Sequence, residues 1–81
     1  MKNKKYLNLD KRVRGIIISV FRIKKISNKN YSINTVKEWD SFGHYNLVME
    51  LEKKFKIKFS DDEIFRLINL KKIIYHVNKK I

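Results

Sequence analysis

The chain has 81 residues, no cysteine and two histidines, which excludes a disulfide framework and a cysteine nucleophile and argues against a zinc site. A chain of this length forms one domain and leaves no room for a separate catalytic domain. Its formal net charge of +12 is typical of nucleic-acid-binding proteins, although the abundance of Lys, Ile and Asn also follows AT-rich codon usage.

The charge is distributed unevenly along the chain. Seven of the eight acidic residues but four of the twenty basic ones lie between residues 38 and 63, so this segment carries −3 and the remainder +15. No apolar run is long enough to cross a membrane, and no apolar segment follows the basic N-terminus as in a signal peptide. We therefore expect a cytoplasmic protein without a membrane partner.

The first part of the chain predicts one helix and a long loop. Residues 1–8 are polar and basic, and we expect a flexible lead-in there, followed by a single domain over residues 9–81. Apolar residues recur at helical spacing from Leu9 to Val20, which predicts the first helix. Residues 24–39 lose this pattern, and a connection of this length is often functional. The residues expected to pin the loop to the core are Ile26, Tyr31, Ile33 and Val36.

Three further helices follow the loop. Asp40 is a suitable N-cap for a second helix that continues to about Phe55. Ser60 and Glu63 have the spacing of a capping box, which predicts a short helix to about Leu67. Asn69 can cap a last helix with one apolar stripe, formed by Leu70, Ile73, Ile74, Val77 and Ile81. The pattern predicts an all-α fold with three longer helices and one short one.

The second helix has two apolar faces. At about 100° per residue, Leu47, Val48, Leu51 and Phe55 cluster on one side. On nearly the opposite side lie Phe42, Tyr45 and Met49. One interpretation is a helix buried all round; the other is an exposed apolar contact surface flanked by Glu50 and Glu52. We favour the contact surface, because a small domain lacks the material to wrap a helix completely.

Ser41 stands at the start of the second helix, where a serine commonly does no more than cap. The functional alternative is that its hydroxyl is an attachment point, since a phosphate there would lie beside free N–H groups and the positive end of the helix dipole. His44 follows one turn later, but no acid is placed to complete a catalytic triad. We expect His44 to be a surface histidine.

Several adjacent segments together resemble the acyl carrier protein family. Asp40-Ser41-Phe42, within Trp39–Gly43, resembles the Asp-Ser-Leu signature of that family, with phenylalanine in place of leucine. The resemblance continues through Leu47–Phe55 and Ile57–Glu63 into the last helix, so that residues 39–78 follow the family pattern without a gap. It implies an acyl-carrier-protein-like four-helix bundle with a long first loop.

The resemblance also implies a non-catalytic carrier rather than an enzyme. In this family the motif serine, here Ser41, receives a 4′-phosphopantetheine arm from a phosphopantetheinyl transferase. The thiol of the arm holds an acyl, aminoacyl or related group as a thioester. Asp40 corresponds to the residue that helps to bind the metal ion during transfer, and we expect no intrinsic metal in the chain.

The resemblance places this carrier, as a monomer, between a loading enzyme and an acyltransferase or synthase of fatty-acid or polyketide-like biosynthesis. The residues expected to contact partners are Phe42, Tyr45, Met49, Glu50, Glu52, Asp61 and Asp62. The chain departs from the family in charge, because Asn46 and Lys53 stand where acids are common. This departure predicts weaker docking to a generic basic patch. The Trp-Asp-Ser-hydrophobic-Gly-His form resembles free-standing carriers of specialised pathways.

Two alternatives stay open. The first is a small basic helical nucleic-acid-binding protein, supported by the charge of +15 outside residues 38–63. No single helix shows the concentrated basic and polar face of a recognition helix, which weakens that alternative. The second is a carrier-like domain that has lost its arm and acts as a binding module.

Overall fold

The computed structural model describes residues 4–23 and 31–81, whose regular secondary structure is helical apart from one isolated β-bridge. The helices are α1 (Lys4–Phe21), α2 (Ser41–Phe55), α3 (Asp61–Arg66) and α4 (Leu70–Lys80). α1 packs against α2 and α4, and α3 contacts α4. The predicted all-α architecture, with three longer helices and one short one, is confirmed.

α1 begins earlier than its apolar pattern indicates. Residues 4–8, expected to belong to a lead-in, form the first part of α1, while residues 1–3 lie outside the described residues. The difference has a simple cause: apolar spacing marks where a helix is buried, but lysine is a good helix former and extends a helix beyond its buried part. Flexibility of the lead-in stays a prediction.

Three side-chain caps define where the other helices start. The Gly43 N–H donates to Asp40 Oδ1 at 2.8 Å, and the Lys72 N–H donates to Asn69 Oδ1 at 2.8 Å. Ser60 and Glu63 form both hydrogen bonds of a capping box. These caps satisfy N–H groups that have no partner within their own helix, and all three were predicted from sequence.

Two helices end at a residue in the left-handed region. Arg22 has φ 53° after α1 and Lys56 has φ 57° after α2. In each case the next residue donates back into the helix, Ile23 N–H to the Ile18 carbonyl and Ile57 N–H to the Glu52 carbonyl. This arrangement closes a helix C-terminus and usually uses glycine, so here it carries a strain of about 1 kcal/mol per residue.

The end of the long loop is fixed to the connection between α3 and α4. The Leu70 N–H donates to the Tyr31 carbonyl at 2.8 Å, and the Ile33 N–H donates to the Ile68 carbonyl at 3.0 Å. Tyr31 and Val36 are buried as predicted, while Ile33 is exposed and Ile26 lies outside the described residues. The prediction for Ile33 is wrong because its backbone, not its side chain, makes the connection.

The core is formed by one face of each longer helix together with the loop. Its helical members include Leu9, Val13 and Ile17 of α1. From α2 and α4 come Leu47, Val48, Leu51, Phe55, Leu70, Ile73, Ile74 and Val77. Ile81, predicted to continue the last stripe, lies beyond α4 and is exposed. No helix in the described part of the chain combines the length and apolar character needed to cross a membrane.

Candidate functional site

Ser41 is the first residue of α2 and is exposed. The helix is capped by Asp40 and not by Ser41, because Asp40 Oδ1 accepts the Gly43 N–H. The Ser41 hydroxyl therefore stands beside the N–H groups of the first turn without being their cap. A hydroxyl at this position is accessible to another protein, and an anion bound to it would be stabilised by the first-turn N–H groups.

One face of α2 carries an apolar surface that the rest of the protein leaves uncovered. The exposed fractions are 76% for Phe42, 55% for Tyr45 and 61% for Met49, whereas Leu47 and Leu51 on the other face are at 0%. This contrast confirms that only one of the two apolar faces of α2 is buried, and it excludes the alternative in which the helix is buried all round. Because Tyr45 lies four residues after Ser41, both residues belong to the same helix face.

α3 extends this apolar surface. Phe65 is 73% exposed, and Tyr45, Asp61, Ile64 and Phe65 line a cavity of about 190 Å³ between α2 and α3. Phe65 was not among the predicted contact residues, because a six-residue helix is too short to show which of its apolar residues face the core. We define the apolar strip as Phe42, Tyr45, Met49 and Phe65.

The acidic residues predicted to flank the apolar strip do not all lie beside it. Asp61 lines the cavity next to Tyr45, whereas Asp62 lines a different cleft between α3 and α4. Glu50 is half-buried and lines a cleft with Lys11, Arg12 and Lys54 on the α1 side of α2. The structure thus brings Asp61 to the strip, and it places Glu50 and Asp62 elsewhere.

Glu52 has a structural role that its sequence position does not reveal. Its Oε2 accepts the Phe59 N–H at 2.9 Å, which ties the end of α2 to the segment before α3. The residue is half-buried, and a substitution there would disturb the turn as well as the charge. A partner contact by Glu52 stays a prediction. Any test of it by substitution must also measure the free energy of unfolding of the variant.

His44, in the first turn of α2, connects Trp39 before that helix to Ile64 of α3. The Trp39 Nε1–H donates to His44 Nδ1 at 2.9 Å, and His44 Nε2 lies 2.8 Å from the Ile64 carbonyl. Since an indole N–H can only donate, His44 Nδ1 accepts, and Nε2 carries the proton that is donated to Ile64. His44 is half-buried, so the expected surface position is wrong.

The indole of Trp39 completes this connection. Trp39 is buried and stacks on Phe21 at the end of α1, with 5.2 Å between ring centroids. The chain of contacts Phe21–Trp39–His44–Ile64 therefore joins the end of α1, the start of α2 and the end of α3. The sequence does not reveal this connection, because the hydrogen bond between Trp39 and His44 depends on the turn before α2, in which the Trp39 N–H donates to the Val36 carbonyl.

A second polar link joins α3 to α4. Glu63 Oε1 lies 3.1 Å from Lys80 Nζ, and Glu63 Oε2 lies 4.0 Å from His76 Nδ1. The Ser60 N–H and Lys80 stabilise the ionised carboxylate and lower the pKa of Glu63 below its ordinary value. Burial lowers the pKa of His76, and this effect outweighs the attraction of Glu63 for a proton on the imidazole.

No family model matches the chain. The acyl carrier protein of Buchnera aphidicola subsp. Schizaphis graminum (strain Sg) is 31% identical over 75 residues, which cover 90% of this chain and 94% of that protein. The similarity thus extends over α1 and the loop as well as over the segment from α2 to α4.

Proposed function

The chain belongs to the acyl carrier protein family, and on that premise we propose that Ser41 Oγ is the attachment point of a 4′-phosphopantetheine arm. The single observation that carries this proposal is the exposed hydroxyl at the first residue of α2, beside the capping carboxylate of Asp40. The arm supplies a thiol on which an acyl, aminoacyl or related group is held as a thioester, and this chain has no cysteine to supply one.

Residues around Ser41 fit a phosphate attached there. The first-turn N–H groups of α2 lie at the positive end of the helix dipole and favour an anion on the adjacent hydroxyl. One oxygen of Asp40 is occupied by the cap, which leaves the other carboxylate oxygen for the metal ion used during arm transfer. The chain itself acts as the substrate of a phosphopantetheinyl transferase and of the loading enzyme.

The apolar strip supports docking that depends more on apolar contact than on charge. Four exposed apolar side chains on two helices form a surface of the kind that usually contacts a partner. Asp61 is the acid that shares its cavity, while Asn46 and Lys53 on α2 are exposed and not acidic. We propose that the partners are enzymes of a specialised pathway, which contact the strip together with Asp61. Contacts by Glu50, Glu52 and Asp62, which lie outside the strip, require a partner that also covers neighbouring surfaces.

The attachment site is tested by intact mass after co-expression with a broad-specificity phosphopantetheinyl transferase. Wild type is expected to gain the mass of one arm, and Ser41→Ala to gain none. The free energy of unfolding of this variant should lie within about 0.5 kcal/mol of the wild-type value, because Asp40 and not Ser41 caps α2.

Asp40→Asn provides the matched control. Asparagine is also a good N-cap, so the fold is retained while the charge is lost, and modification should be slower but still at Ser41. Modification of Ser41→Ala at another serine would contradict the assignment. An unmodified wild type under conditions that modify a known carrier would favour a binding module without an arm.

A further inference from the structure

A cleft between α3 and α4 is lined by the face of α3 next to the one that carries Phe65 of the apolar strip. Asp61 and Phe65 of α3 line the small cavity beside Tyr45, whereas Asp62 and Arg66 line this second cleft. Its volume is about 770 Å³, within the range of small-molecule sites. Because the two clefts use different faces of α3, a ligand here would leave Ser41 and the apolar strip accessible.

The α3–α4 cleft is lined by more positive than negative charge. Its cations are Arg66, Lys71, Lys72 and Lys79, and none of them has a carboxylate partner within the described residues. Of its two acids, Glu63 already accepts the Ser60 N–H and pairs with Lys80. The cleft therefore has cationic groups available for an anion, and it concentrates part of the +15 that lies outside residues 38–63.

His76 adds an unsatisfied polar atom to the wall of this cleft. Its Nδ1 is buried and has no hydrogen-bond partner among the described residues, since the nearest Glu63 oxygen at 4.0 Å is too distant. Buried polar atoms in native proteins are nearly always satisfied by protein, water or a bound group. A polar ligand in the cleft, or a water molecule bound with it, would provide the hydrogen-bond partner that His76 Nδ1 lacks.

An aromatic ring stands at the edge of the same cleft. Tyr75 is 59% exposed, and Lys79 Nζ lies over one face of its ring, 5.1 Å from the centroid, so a planar ligand would use the other face. Exposed aromatic rings beside basic side chains provide a stacking face for a planar ligand next to a site for phosphate. A simple inorganic anion would leave this ring unused.

We propose that the α3–α4 cleft binds a small organic phosphate of nucleotide size, with its phosphates among Arg66, Lys72 and Lys79 and its planar group on Tyr75. The combination of unpaired cations, an exposed ring and a cleft of this volume carries the proposal. It does not depend on the function proposed for Ser41. The ligand class is a phosphate ester with a planar ring system, for which ADP is a suitable probe.

The proposal is tested by titrating ADP into the isotope-labelled protein at low salt and following the amide resonances. We expect saturable shifts confined to Arg66 and to α4 from Lys71 to Lys79, and an affinity higher than that for pyrophosphate or adenosine. Arg66→Gln combined with Lys72→Gln should weaken the binding of ADP by about tenfold or more, since both contacts are charge-assisted. Tyr75→Ala should weaken the binding of ADP and leave the affinity for pyrophosphate unchanged.

The matched control is Lys53→Gln combined with Lys58→Gln, which removes the same charge from exposed positions outside the cleft. This control should change ADP affinity less than twofold. Equal weakening by both double variants would show a general charge effect and overturn the site. Pyrophosphate binding as tightly as ADP would overturn the ligand class. A single-stranded oligonucleotide that binds far more tightly than ADP, with shifts spread over the surface, would favour nucleic-acid binding instead.

Discussion

Gly43 is packed so closely that no side chain fits at its position. A β-carbon there would lie 2.6 Å from the Glu38 carbonyl oxygen and 2.8 Å from Cε1 of Phe21. Its φ is not positive, so the requirement is for space and not for backbone freedom. The absence of a side chain lets the start of α2 approach the turn before Asp40 and the end of α1. Gly43 thus helps to position Asp40 and Ser41.

Replacing Gly43 with alanine should destabilise the protein by about 1–3 kcal/mol, because a backbone oxygen cannot move aside as a flexible side chain can. Gly15→Ala is the matched control, since nothing lies within 4 Å of its added β-carbon. That control should stabilise α1 by about 0.5–1 kcal/mol, because alanine is the better helix former. Urea unfolding measures both, and equal stabilisation by the two variants would contradict the close packing.

α2 divides its apolar residues between the core and an exposed surface. Leu51 is fully buried against the other helices, whereas Met49 two residues away is 61% exposed. Their hydrophobicity is similar, so the difference in environment follows from helix geometry, with successive residues about 100° apart. An exposed apolar side chain adds little to folding, and a surface that retains several of them is suited to binding.

We expect Leu51→Ala to lower the free energy of unfolding by about 2–5 kcal/mol, through lost burial and the cavity that remains. Met49→Ala should change it by no more than about 0.5 kcal/mol and should slow loading by a partner enzyme. Thermal unfolding and the loading rate are measured on both variants. A Met49→Ala variant that loads at the wild-type rate would show that Met49 lies outside the docking surface.

The molecule as a whole presents two surfaces on adjacent faces of α3. One face contributes Phe65 to the apolar strip, and the neighbouring face contributes Arg66 to the α3–α4 cleft. α3 is held in place by the His44 hydrogen bond to Ile64 on one side and by Glu63 with Lys80 on the other. A six-residue helix has little stability of its own, so these contacts determine its position.

Acid should lower the free energy of unfolding in two separate pH ranges. The pKa of His76 is lowered from 6.5, so as pH falls below 6.5 the unfolded chain takes up the proton first and stability decreases. The pKa of Glu63 is lowered from 4.5, so its contribution is present above 4.5 and is lost as pH falls through its lower folded value.

The measurement is the free energy of unfolding, from pH 8 to pH 3, of the wild type and of the variants His76→Leu and Glu63→Gln. His76→Leu should remove the decrease that begins near pH 6.5. Glu63→Gln should keep the capping box, because glutamine can accept the Ser60 N–H, but should remove the decrease that begins near pH 4.5. If the pH profiles of both variants parallel that of wild type, these two groups do not govern acid stability.

Local signals were sufficient to predict most of the helical fold. Asp40, Ser60 and Asn69 each satisfy N–H groups within their own first turn, so sequence spacing alone locates them. The two faces of α2 were equally predictable, because helix geometry is the same in every protein. Ser41, Phe42, Tyr45 and Met49 of the candidate site follow from this local geometry. α1 was the exception, since its first turns are not amphipathic.

The remaining features arise where residues distant in sequence meet. The Trp39–His44–Ile64 connection, the close packing of Gly43 on Phe21, and the Glu52 bond to Phe59 each join separate segments. Sequence spacing contains no distance between elements, so it could not show that Asp61 and Asp62, although adjacent, line different clefts. Helix packing decides which exposed charges and rings become neighbours, and binding surfaces are formed from those neighbours.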